Sequence, residues 1–144
     1  MLRWLLTLAD AARHRARLRR WPSDQALGRR GEDLAHRYLE RQGLVVVARN
    51  HRSGSGHGEI DLVAWDRGTL AFIEVKCRTS REHGDPDRNV DLGKQRALVH
   101  AARHYARHAG VPWEQVRFDI VSVVLGDPPR LNHRRDAIRA AAGL

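Results

Sequence analysis

Cysteine is nearly absent. Cys77 is the only one in 144 residues, which excludes an internal disulfide framework and any cysteine-rich zinc module. A reducing cytoplasm is the simplest compartment for such a chain. Lysine is almost as scarce: of 26 basic residues only Lys76 and Lys94 are lysine, leaving 24 arginines. No apolar run is long enough to span a bilayer, because the segment Met1–Ala9 is short and the arginines from Arg13 to Arg20 follow it at once. That segment lacks a strongly basic start and a clear small-residue cleavage site, so it does not read as a secretory signal. Repeats and low-complexity blocks are missing too, apart from the arginine bias.

What remains is the composition of one domain, long enough to bury a single core without metal or disulfide staples. Hydrophobic residues make up 42% of it, which supports that reading. The formal net charge is +9 and the sequence pI is near 11.2, so attraction to a polyanion is expected, most simply nucleic acid, weakening as salt rises. Arginine suits phosphate, which its planar fork grips bidentately. A merely solvated basic surface would give the same charge.

Residues 1–22 read as a basic extension, either a loosely ordered lead-in to Pro22 or an amphipathic helix on a membrane or nucleic acid. Ser23 or Asp24 can cap a helix running to about Gln42, with Leu27, Gly31, Leu34, Ala35, Tyr38 and Leu39 at helical spacing and Gly43 ending it. Leu44 to Ala48 is a β-branched run, expected as a strand buried on both faces, before a Ser/Gly/His-rich loop from Arg49 to Gly58. Glu59 to Trp65 and Leu70 to Cys77 form two strands around a turn containing Gly68. Thr79 to Val90 is a polar connection, either a substrate loop or plain solvent loop. A second helix runs from Asp91 to about Ala109, stopped by Gly110 and Pro112, and Val116 to Leu125 is a further strand ended by Asp127-Pro128-Pro129. The core is therefore α-β-β-β-α-β over residues 23–130, with a tail at 131–144.

Acids and a lysine interrupt the apolar alternation of the middle strands. Glu59 with Asp61, and Glu74 with Lys76, each share a side of their strand. If Arg67 and Gly68 form a two-residue loop, Asp61 lies opposite Glu74 and Glu59 opposite Lys76, all on the face carrying Val63, Leu70 and Phe72. Opposed carboxylates repel unless a cation or proton intervenes. A divalent ion such as Mg²⁺ suits these hard oxygens, making Asp61 and Glu74 candidate metal ligands, the Val75 carbonyl a third, and Lys76 a group that positions water or steadies charge on a phosphate. A solvated face with a Glu59–Lys76 ion pair is the competing reading. Cys77 would point with Ile73 and Val75, away from Lys76, as a small core residue. Gly28 and Gly31 leave nothing bulky to hold the first helix off the sheet beside Glu32, although spacing alone does not single Glu32 out. Lys94, Gln95, Arg30 and Arg78 are candidate phosphate contacts, and Gln95 can equally be solvated.

Four ordered segments, Gly28-Arg29-Arg30-Gly31-Glu32, Gly58-Glu59-Ile60-Asp61-Leu62, Phe72-Ile73-Glu74-Val75-Lys76 and Arg117-Phe118-Asp119, resemble the signatures of the YraN family of bacterial endonuclease-like proteins. More broadly they resemble the PD-(D/E)xK nuclease superfamily, over about residues 26 to 125. The resemblance implies a restriction endonuclease-like three-layer α/β sandwich, similar to that of archaeal Holliday-junction resolvases. It matches Asp61, Glu74 and Lys76 to the superfamily's two acids and lysine, Glu32 to the helix-one glutamate of the resolvase branch, and Gln95 more loosely to a helix-two polar position. Ile60 stands where the superfamily's proline would be, a position that makes no chemical contribution.

The expected function is Mg²⁺- or Mn²⁺-dependent hydrolysis of DNA phosphodiesters, selective for branched or junction DNA. Asp61, Glu74, Lys76 and Glu32 would be catalytic and Glu59 supporting, and a homodimer would place two sites on two strands. A non-catalytic DNA-binding factor on the same fold is the alternative, and a membrane or protein contact through residues 1–22 is a third.

Overall fold

The computed structural model describes residues 9–14, 23–54, 58–79 and 92–138. Helix α1 (Ser23–Arg41) is followed by strands β1 (Val45–Arg52), β2 (Glu59–Asp66) and β3 (Thr69–Thr79), helix α2 (Leu92–Ala109), and strands β4 (Val116–Leu125) and β5 (Arg130–Arg134). Glycines close both helices in left-handed conformations that other residues rarely adopt: Gly43 at φ 92° and Gly110 at φ 67°.

The sheet runs β1-β2-β3-β4-β5. Neighbours are antiparallel except β3 and β4, whose parallel pairing requires the crossover that α2 supplies. Ala35 and Leu39 of α1 pack on Leu62, Ala71, Ile73 and Val121. Leu98, Val99 and Ala102 of α2 pack on Val63, Leu70, Phe72 and Phe118. A mixed sheet with a helix on each face is the three-layer α/β sandwich of the restriction endonuclease-like type. Phe72 and Leu39 are wholly buried, and each such side chain contributes roughly 1.5–3 kcal/mol through removal from water.

The β2–β3 register is the one that a two-residue Arg67-Gly68 turn dictates, with Trp65 paired to Leu70 and Asp66 to Thr69. Strand β1 and the end of the core depart from expectation. β1 is an edge strand and continues to Arg52, through residues expected to be loop. It is not buried on both faces: Val45 and Val47 are 60% and 45% exposed while Leu44 is buried. The chain does not end its core at 130 either. The Asp127-Pro128-Pro129 segment is followed by β5, antiparallel to β4, and Ile138 is buried beneath α2. The Arg-Leu-Asn-His-Arg sequence of β5 is charged, as short edge strands often are, and carries no apolar alternation. Residues 9–14 of the N-terminal extension are helical, one of the two forms expected for that segment, and the carboxylate of Asp10 is buried against α1. The candidate substrate loop from Thr79 to Val90 lies outside the described residues beyond Thr79 itself.

Candidate functional site

The β2–β3 ladder stops at Leu62–Ile73. One residue further, the Asp61 carboxylate accepts the Val75 N–H at 2.7 Å, so a side chain replaces the partner strand where the two strands part. On the other flank, β1 pairs Arg49 with Leu62 and His51 with Ile60, and Asn50 between them is left-handed at φ 51°. Simple alternation would put Ile60 and Leu62 on one face, yet Ile60 packs beneath α2 and Leu62 beneath α1. The strand turns about its axis at Asp61.

A cavity of about 290 Å³ opens here, lined by Glu59, Asp61 and Glu74 and by Lys94, Ala97 and Leu98 of α2. Gly58, at φ 82°, lets the helix approach: a Cβ there would collide with the Ala97 carbonyl. The Asp61 and Glu74 carboxyls share this cavity and act on one another electrostatically. Burial, then the charge of Glu74, pushes Asp61 up to about 8 against the opposing Val75 N–H, with Glu32 and Glu59 adding to the rise. Burial raises Glu74 as well, but Lys76 and Lys94 draw it back. Both lysines of the chain thus act on one carboxylate, and the pair holds a proton more tightly than either acid would alone.

Glu59 shares the cavity, but its carboxylate bonds Arg52 of β1 at 3.1 Å, across the Arg52–Glu59 pair of the ladder; the ion pair with Lys76 is not formed. Glu32 lies outside the cavity lining, 3.1 Å from Arg29 and 3.7 Å from Arg49, near enough to raise Asp61 electrostatically. Gly31 does give close approach, since a Cβ there would stand 2.5 Å from that of Cys77, whereas Gly28 has open space around it. Cys77 packs with Ile73 and Val75 beneath α1, as expected. Gln95 and Arg78 are half-buried outside the cavity lining, and Arg30 turns to Asp10. Among the described residues no group of three or more His, Cys, Asp or Glu side chains is spaced to hold a metal ion. Two half-buried carboxylates lining one cavity, both raised by burial, nevertheless fit a hard divalent cation, which would remove their mutual repulsion.

A second ionic cluster lies at the opposite end of the hairpin. Arg117 bonds Asp119 through Nε and Nη2 (2.8 and 2.9 Å) and Asp66 of the turn at 2.8 Å. His133 and the Asp136 N–H each reach Asp119 at 2.9 Å, and Arg135 reaches Asp66 at 3.0 Å. Burial would raise Asp119, but His133, Arg117 and the Asp136 amide hold it below the usual carboxylate range. This cluster ties β5 and the following turn to the sheet, giving the Arg117-Phe118-Asp119 motif a structural role that spacing did not reveal.

Fold and site define an α/β sandwich that sets a carboxylate pair in a cavity beneath the start of its second helix. The model of the uncharacterised protein family UPF0102 matches residues 31–123, and the chain belongs to that family, the YraN family of the sequence resemblance. It is 53% identical to a UPF0102 protein of Solibacter usitatus over 133 residues, 92% of this chain and 99% of the relative. Identity to a UPF0102 protein of Rhodococcus jostii is 43% over 114 residues, 78% and 95% of the two chains. Against one from Anaeromyxobacter dehalogenans it is 44% over 110 residues, 76% and 81%. No helix among the described residues is long and apolar enough to cross a membrane.

Proposed function

We propose that the chain is a divalent-metal-dependent endonuclease that hydrolyses DNA phosphodiesters, as the resemblance to the PD-(D/E)xK superfamily and its resolvase branch implies. The observation that carries the proposal is the half-buried Asp61–Glu74 pair, two mutually repelling carboxylates sharing one cavity and acted on by the only two lysines of an arginine chain. Asp61 and Glu74 would hold Mg²⁺ or Mn²⁺, with the Val75 carbonyl as a further ligand, while Glu32, outside the cavity lining, would add its charge from α1. The bound ion would polarise the phosphoryl group and acidify its water. Lys76 orients the attacking water and steadies charge on the phosphate. Lys94, Gln95, Arg30 and Arg78 hold backbone phosphates, and Glu59, tied to Arg52, supports the pair. Phosphate contacts carry no base information, so selection among DNAs would be by shape, such as a branch or junction. Cutting both strands symmetrically needs two sites and hence a homodimer.

A second reading draws support from the lack of a three-donor group among the described residues: a DNA-binding factor whose acid pair keeps its proton and does not cut. Incubation with linear, flapped and four-way DNA plus Mg²⁺ or Mn²⁺ separates the two. The nuclease reading expects cleavage that Asp61→Ala and Lys76→Ala each lower by about 100-fold or more. Variants that cut at the native rate would refute the site. Binding without cleavage by the native protein would leave the second reading standing.

A further inference from the structure

Asp10 is the single acid among residues 1–22, in a segment with six arginines, and it is 3% exposed. Its carboxylate accepts from Arg30 Nε at 3.1 Å and lies 3.1 Å from Arg37 Nη2. Arg30, Arg37 and Arg41 are spaced by seven and four residues, so they occupy one face of α1. They line a cavity of about 330 Å³ between α1 and the Gly126–Pro129 turn, with Asp127 on the same wall. No carboxylate among the described residues is ion-paired to Arg41, which is exposed.

A carboxylate between two guanidinium groups occupies the geometry that a phosphate oxygen pair would take. Gly31, next to Arg30, sits close against Cys77 of β3, and from Arg30 to Arg41 the arginines extend about 16 Å along the helix axis. We propose that this face of α1 is a binding track for nucleic-acid backbone phosphate, and that Asp10 occupies it as an internal anion that the phosphodiester displaces. The proposal rests on the DNA reading above and deepens it, assigning Arg37 and Arg41 a role beside Arg30 and the 9–14 segment a self-blocking contact.

The test is fluorescence anisotropy of a short labelled duplex titrated with the full chain in EDTA, where cleavage cannot interfere. Asp10→Asn removes the internal charge; its affinity should rise on the order of tenfold at low salt, and log K should fall more steeply with log salt by roughly 0.9 per phosphate gained. Arg41→Ala, which breaks no ion pair, should melt like the native protein and bind several-fold more weakly. The track is overturned by a folded Asp10→Asn variant that binds no tighter, by an Arg41→Ala variant that binds as the native protein does, or by absence of DNA binding. A gain by Asp10→Asn on phosphatidylglycerol vesicles but not on DNA would assign the face to lipid and overturn it equally. Loss of the nuclease reading shows as binding without metal-dependent cutting; loss of the track shows as cutting indifferent to Asp10.

Discussion

At the scale of the residue, Asp61 carries most of the consequences. It titrates at about 8 in the fold but at about 3.9 in an unfolded chain, so across that window the native state keeps a proton that the unfolded chain has released. Stability from the neutral carboxyl is full below the unfolded value and is lost as pH rises through about 8; Glu74, also raised, acts in the same direction. Asp61→Asn keeps an acceptor for the Val75 amide and removes the ionisation. In EDTA at pH 8 it is expected to melt about 3–8 °C above the native protein, with the gain shrinking toward pH 4. A variant that melts at or below the native temperature at pH 8 would contradict the protonated pair. The residue scale was only partly legible beforehand. Asp61 and Glu74 stood out because acids at alternate strand positions conflict with burial, and the Arg67-Gly68 turn fixed their register. The partner of Glu59 did not stand out, because Arg52 lay in a stretch too polar to read as strand, behind a register shift between Val46 and Ala48.

Elements were legible where their pattern was apolar. Helix α1, helix α2 and β4 follow from periodicity and stop signals, and β4 keeps its expected bounds. β5 was not legible, since its Arg-Leu-Asn-His-Arg sequence buries little, and what holds it is ionic. Asp119 is fully buried and joins β4 to β5 and the turn after it through Arg117, His133 and the Asp136 amide. Removing one member of a buried charge network leaves the others uncompensated, at about 3–5 kcal/mol. Asp119→Ala should therefore lose about that much in urea unfolding, and a change below about 1 kcal/mol would show that the strand is held otherwise. Because Asp119 and Asp66 are held below their ordinary range, their contribution is present above about pH 4 and is lost as pH falls further. The two ends of the hairpin thus respond to pH in opposite senses.

For the whole molecule, +9 of net charge and a sheet that sets its acids beneath α2 describe a surface attractive to polyanions around a small acidic centre. Such binding should be governed by counterion release: with about four phosphates held, affinity falls roughly a hundredfold between about 50 and 200 mM salt. A salt-independent affinity would mean that the arginines are solvated and not engaged. The sandwich itself was foreseeable from element order, because β3, crossover helix and β4 admit few arrangements. The docking of residues 9–14 was not, since it depends on one aspartate in a segment without apolar period.

The point where β3 loses β2 as a partner has one more use. The Val75 amide is bonded to an ionisable oxygen and not to a peptide carbonyl, which makes it a spectator wired to the proton of the acid pair. Its proton resonance should move with a midpoint near pH 8, be silent in Asp61→Asn, and, if the pair holds Mg²⁺ as proposed, shift its midpoint downward when the ion is added. A single backbone signal would then report both the charge state and the occupancy of the centre, with no substrate required.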